Sequence, residues 1–172
     1  MMERKERKAT RLPEYDYSSA GAYFVTICTK NRRWLLSKIV GAIHESPLVE
    51  LTQYGRIVDT IVESLPERCG IKLDKYVIMP NHIHLLISIE SKFSDGAIRE
   101  SPLQKRSTIS KAIGYLKMNA SKEIHKYGYT EQIWQRGFYD HVVRNDEDYD
   151  AIWQYIDENP IKWELDKFYK TR

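Results

Sequence analysis

The chain has 172 residues, with 27 Lys+Arg against 24 Asp+Glu and a formal net charge of +3. That length suits one domain over residues 1–172, with enough chain to bury a core; 42% hydrophobic and 30% charged residues exclude a collagen-like or wholly disordered chain. No apolar run is long enough to span a bilayer, no apolar segment follows the N-terminal charges as in a secretory signal, and Cys28 and Cys69 make neither a disulfide framework nor a zinc knuckle, so they read as reduced thiols of a cytoplasmic protein.

Residues 1–11 form a basic tail, five Lys/Arg against two Glu, suited to resting on phosphates. Residues 22–29 are β-branched and aromatic and predict a strand. Asn31-Arg32-Arg33 follows as a basic turn. Over residues 52–65, Tyr54, Ile57, Val58, Ile61, Val62 and Leu65 recur at helical spacing. Residues 75–79 and 82–89 predict two strands joined by Pro80-Asn81, which is turn chemistry. The second is apolar on both alternations, as a central strand should be. Residues 90–107 read as a polar loop. A helix from 107 to about 126 has Ile109, Ile113, Leu116, Met118 and Ile124 as its apolar positions, and residues 138–144 predict a short strand. Asn145 is a good N-cap, with Asp146, Glu147 and Asp148 placed against the positive end of the helix dipole. That helix runs to about Asn159 and stops at Pro160. The order β, α, β, β, α, β and a last helix gives an α+β class. Its first six elements match a ferredoxin-like split βαβ sheet with helices on one face.

An octapeptide recurs. Residues 41–48 read GAIHESPL and residues 96–103 read GAIRESPL, differing only at His44 and Arg99. Nothing around the copies repeats, which excludes a solenoid. Codons can be chosen that make each octamer an inverted repeat in DNA, with the His/Arg difference at the hairpin tip. The expectation is that DNA palindromes entered this gene where exposed connections tolerate insertion.

Three segments carry chemistry. In His82-Ile83-His84 the i and i+2 side chains of a strand share a face, and two adjacent imidazoles suit a divalent metal. The competing reading is a pair of hydrogen-bonded surface histidines. In the last helix Tyr149, Ile152, Trp153 and Ile156 form the buried stripe. Tyr155 lies at its edge, roughly 40° around the helix from Asn159, so a phenol oxygen and an amide oxygen can approach one metal or phosphate. The alternative is boundary packing for Tyr155 and an ordinary cap at Asn159. Residues 133–144 combine aromatics with Arg136 and Arg144, a set that can stack bases and pair with phosphate. Otherwise Trp134 and Phe138 are core and the arginines are solvated.

Together these segments resemble the single-tyrosine HUH transposases, and among them the REP-associated tyrosine transposases of bacteria. The resemblance covers most of the chain: residues 11–17 and 21–26, Val77-Ile78-Met79-Pro80-Asn81-His82-Ile83-His84, Trp134-Gln135-Arg136, Asp140-His141, and residues 155–160. It implies the ferredoxin-like fold with a C-terminal tyrosine-bearing helix. It also implies the cutting and rejoining of single-stranded DNA beside hairpin or palindromic repeats through a 5′-phosphotyrosine. His82 and His84 match the two HUH metal ligands, Tyr155 the nucleophile, and Asn159 the third ligand, where many relatives carry Gln. The implied cofactor is Mg²⁺ or Mn²⁺, and both monomers and homodimers fit. No Gly-rich phosphate loop is present. Two further classes stay open: a non-catalytic single-stranded nucleic-acid-binding module, and a metal-dependent nuclease that uses the histidine pair with a carboxylate such as Asp140 and forms no covalent intermediate.

Overall fold

The computed structural model describes residues 19–41, 48–90 and 107–169. The basic tail, most of the 90–107 loop and both octapeptides apart from Gly41 and Leu48 lie outside them. The strands are β1 (Gly21–Cys28), β2 (Ser37–Val40), β3 (Leu48–Leu51), β4 (Lys72–Ile78), β5 (His82–Ile89) and β6 (Tyr139–Val142). The helices are α1 (Gln53–Glu63), α2 (Leu65–Cys69), α3 (Thr108–Lys126) and α4 (Asp146–Glu158). Short 3-10 turns occupy Lys30–Arg32 and Trp163–Leu165.

Four strands make one antiparallel sheet in the order β4-β5-β1-β6, the ferredoxin-like arrangement expected from the element order. Alternation sorts the side chains into two layers. Tyr23, Val25 and Ile27 of β1 and Ile83, Leu85 and Ile87 of β5 join the main core, with Val58 and Val62 of α1 and Ile109, Ile113, Leu116 and Ile124 of α3. The two helices start where a hydroxyl accepts the backbone N–H three residues on: Thr52 from Gly55 at 3.0 Å and Ser107 from Ser110 at 3.2 Å. The opposite layer is smaller. There Leu86 of β5 meets Ile152 and Ile156 of α4, flanked by Phe24 and Val77. Asn145 caps α4 by accepting from the Asp148 N–H at 2.8 Å, and three acidic residues fill its first turn.

The structure departs from the sequence reading in four places. The predicted helix over 52–65 ends at Glu63, and α2 starts separately, because Pro66 has no N–H to continue the α1 ladder. The connection expected after β1 contains a hairpin, with Ser37 paired to Leu51 and Val40 to Leu48, so the first octapeptide links two short strands. Met118 is 65% exposed rather than a core position of α3. Trp153, expected in the buried stripe, is 38% exposed, and the Lys75 ammonium sits 4.2 Å from its ring centroid. Among the described residues no helix is long and apolar enough to cross a membrane.

Gly55 is fixed by close approach. A Cβ built there would lie 1.9 Å from the Leu36 carbonyl oxygen, which belongs to the backbone and cannot swing away. Gly55→Ala should therefore destabilise the fold by about 2 kcal/mol or more, despite the better helix propensity of Ala. Urea titration of both proteins gives the difference directly.

Candidate active site

The site lies between the sheet and α4, and β5 supplies its floor. His82 and His84 point to the same layer as Leu86, and both are fully buried. Their Nε2 atoms are 3.0 Å apart. Each ring is held from its other nitrogen. His82 Nδ1 lies 2.8 Å from Asn81 Oδ1, and His84 Nδ1 lies 2.8 Å from Thr26 Oγ1. The Thr26 contact follows from register, since Thr26 of β1 faces His84 of β5.

The Asn81 amide fixes one tautomer. Its Nδ2 donates to the Phe168 carbonyl at 2.9 Å and to the Arg32 carbonyl at 3.4 Å, so its oxygen is the atom that faces His82. That oxygen only accepts, so His82 Nδ1 carries the proton and Nε2 presents a lone pair. This lone pair accepts from His84 Nε2–H, and the Thr26 hydroxyl donates to His84 Nδ1. A hydroxyl can also accept. The His84 proton can therefore move to Nδ1 with no change of heavy-atom partners, leaving both Nε2 lone pairs facing one point.

Tyr155 and Asn159 descend from α4 on the same face, as their spacing predicts. The Tyr155 ring is 5.2 Å from His84 and 5.9 Å from Phe24. Tyr155 Oη and Asn159 Nδ2 both donate, at 2.9 Å each, to Oδ2 of Asp166. The Asn159 amide oxygen is buried and accepts no hydrogen bond among the described residues. His82, His84 and Asp166 bring their donor atoms within 4.8 Å of one another.

These observations test the site as a cation site. Two nitrogens on neighbouring octahedral positions, with bonds of about 2.1 Å, would be separated by about 3 Å, and the imidazoles match that separation. An unpartnered amide oxygen and a carboxylate complete a mixed N/O donor set, which suits Mn²⁺ and, with oxygen-rich completion, Mg²⁺. Burial holds both imidazoles well below their usual basicity, so both are neutral, as ligation requires. At His82 the Asp166 carboxylate opposes that shift and Arg32 reinforces it. Burial, then the Asp166 carboxylate, raises the Tyr155 phenol above its ordinary value.

The structure thus brings together all four residues that the sequence singled out: His82, His84, Tyr155 and Asn159. It separates Asp140 from them. Asp140 is in register with Val25, so it points toward the main core, away from the histidines. In the 133–144 segment Trp134 is buried, donating from Nε1 to the Lys117 carbonyl at 3.1 Å, and Phe138 packs on the core, while Arg136 and Arg144 are exposed. Sequence reasoning missed Asn81, Thr26, Asp166 and Phe168. Thr26 is visible only after strand pairing. Asn81 reads as a turn residue by composition. Asp166 and Phe168 belong to a segment without periodicity, although Phe168 lies 4.8 Å from His82 between ring centroids.

A tyrosine-bearing helix thus lies across a sheet-borne pair of imidazoles, and the comparisons put the chain among the DNA strand-cleaving transposases. The family model described as "Transposase IS200 like" matches residues 18–98. An uncharacterized protein of Haemophilus influenzae is 33% identical over 174 residues, 95% of this chain and 93% of that protein. The REP-associated tyrosine transposase of Escherichia coli is 26% identical over 146 residues, 85% of this chain and 70% of that protein. A solved REP-associated tyrosine transposase, bound to a REP hairpin, shares the fold with a TM-score of 0.62 at 22% identity, covering 91% of this chain and 76% of that one. The chain belongs to the IS200-like transposase family.

Removing the Asn81 side chain should free the His82 ring to change tautomer. Asn81→Ala is expected to weaken Mn²⁺ binding by about 10- to 100-fold, and His82→Ala or His84→Ala to remove it, as measured by calorimetric titration.

Proposed function

We propose that this chain cuts and rejoins single-stranded DNA next to a hairpin or palindromic repeat, with Tyr155 as the nucleophile. One observation carries the reading: a half-buried phenol oxygen and a buried amide meet a single carboxylate oxygen beside two neutral imidazoles. The relatives named as REP-associated tyrosine transposases, one of them bound to a REP hairpin, support a hairpin as the partner.

His82, His84 and Asn159 would hold the Mg²⁺ or Mn²⁺ ion, with the Asp166 carboxylate in reach as a further ligand. Such an ion, when bound, draws charge from the scissile phosphate and orients it. The chain supplies the remaining parts. α4 aims the phenol oxygen and holds it by packing of the Tyr155 ring on Phe24 and His84. Asp166 accepts the Tyr155 hydroxyl at 2.9 Å and is the first acceptor the phenol proton meets. The Tyr155 oxygen forms a bond to phosphorus as the bond from phosphorus to the 3′-oxygen breaks, and that oxygen takes a proton from water. The products are a 5′-phosphotyrosine and a free 3′-hydroxyl. One phosphodiester replaces another, so a 3′-hydroxyl can attack in turn, rejoin the strand and return the phenol. Water would only hydrolyse.

A binding module would leave no adduct. A nuclease would use Asp166 rather than Asp140, whose carboxylate faces the other layer, and it too would leave no adduct. Tyr155→Phe keeps the ring and removes the oxygen. It should abolish the covalent protein–DNA adduct on a denaturing gel and leave affinity for a hairpin-bearing oligonucleotide within about threefold. An adduct formed by the Phe variant would show that another residue is the nucleophile.

A further inference from the structure

We propose that Arg32 grips the scissile phosphate, an inference that rests on the Tyr155 reaction above. Its backbone is the first indication. Asn31 and Arg32 have φ of 56° and 58°, and they are the two non-glycine residues with positive φ among the described residues. Residues with a Cβ avoid this region, and strain of this kind collects at functional sites. The conformation is fastened to the site itself. The Arg32 N–H donates to the Thr29 carbonyl at 3.2 Å, and the Arg32 carbonyl accepts from the Asn81 amide, next to His82.

The unusual turn sends the guanidinium back over the histidine layer. Arg32 Nη1 lies 2.6 Å from Cys28 Sγ. Cys28 faces His82 across the β1–β5 register, one strand away. The guanidinium carbon also sits 4.3 Å above the Phe168 ring, which packs against His82.

Both partners are neutral. One is a buried thiol and the other a ring face. No carboxylate among the described residues pairs with Arg32. The next residue behaves differently: Arg33 pairs with Glu131 and donates to Tyr129 Oη at 2.7 Å. A surface turn has thus spaced two arginines so that one is neutralised and the other keeps its charge beside the reaction centre. A planar guanidinium fork matches two phosphate oxygens and exchanges a weak sulfur contact for them readily. The nearby lysine, Lys167, also lies over the Phe168 ring, at 5.0 Å, but as a point charge it cannot make the paired contact.

Arg32→Gly relaxes the left-handed backbone, so it should melt at or above the wild-type temperature and keeps loss of function separate from misfolding. With a synthetic single strand that carries a hairpin and unpaired flanks, plus Mn²⁺, it should form the Tyr155 adduct about 100-fold more slowly than wild type. Arg32→Lys should fall in between, and affinity for the hairpin alone, without the flank that carries the cleaved linkage, should change by less than about threefold. The contact is then located by binding in the non-cutting Tyr155→Phe background, with a methylphosphonate placed at the linkage that wild type cuts. Loss of that one charge should weaken binding about tenfold when Arg32 is present and leave binding unchanged in Arg32→Gly. An Arg32→Gly rate within threefold of wild type overturns the assignment, as does equal weakening by the methylphosphonate with and without Arg32. A wild type that forms no adduct is a different outcome: it removes the transesterification itself, and this inference with it.

Discussion

The hydrogen bond from His82 Nδ1 to Asn81 Oδ1 is the constraint on which the rest of the site depends. β5 is buried on both faces, and a buried imidazole without a partner would be costly. Asn81 meets that need and ties three segments together in doing so. Its backbone carbonyl accepts from both the N–H and the hydroxyl of Thr29, at 2.9 and 3.0 Å. Its amide reaches Arg32 on one side and Phe168 on the other. The basic turn after β1, the β4–β5 turn and the C-terminal segment are therefore held by one buried side chain. A defect at Asn81 would loosen all three, whereas Thr26 constrains His84 alone.

The two sheet faces divide stability from chemistry. The α1 and α3 face holds the large apolar cluster. On the α4 face the aliphatic cluster is Leu86, Ile152 and Ile156, beside the buried rings of Trp163 and Phe168 on the histidines. Two isoleucines contribute about 1.5–3 kcal/mol each, and a helix of 13 residues is marginal alone. The Asn145 cap, which contributes about 1 kcal/mol, thus matters more to α4 than a comparable cap matters to α3. The helix that carries Tyr155 thus docks through two isoleucines, the Tyr155 ring on Phe24 and His84, and the polar contacts to Asp166.

Local rules made the main elements legible in the sequence. Period-2 and period-3.6 patterns located β1, α1, β4, β5, α3, β6 and α4, and the split βαβ order follows from them. The i, i+2 spacing of His82 and His84 and the i, i+4 spacing of Tyr155 and Asn159 are geometric facts about strands and helices, so those four residues could be grouped before any packing was known. What stayed hidden depends on contacts distant in sequence. β2 and β3 have four residues each and little alternation to detect. Trp153 looked buried by spacing, yet the small α4 interface does not extend far enough to cover it. Asp166 reaches Tyr155 because the chain turns back after Pro160, and no local pattern in residues 160–169 announces that return. The octapeptides retain the reading given by their sequence alone.

Charge placement matters more than the net charge of +3. Several cations are committed to carboxylates: Lys72 to Asp74, Lys75 to Asp157, Lys126 to Glu123 and Lys162 to Glu158. Arg32 and Lys167 rest on the Phe168 ring instead, and both push the histidines toward the neutral state. The same field opposes a divalent ion arriving alone. A DNA phosphate reverses the local sign, since it attracts both the guanidinium and the ion. On the proposed reading, metal and DNA must then favour each other's binding by the same factor, because linkage is reciprocal. An ion entering alone meets Arg32 and Lys167 against the single carboxylate of Asp166; an ion entering with the strand meets those cations balanced by a phosphate as well. On that reading the strand to be cut completes the reaction centre.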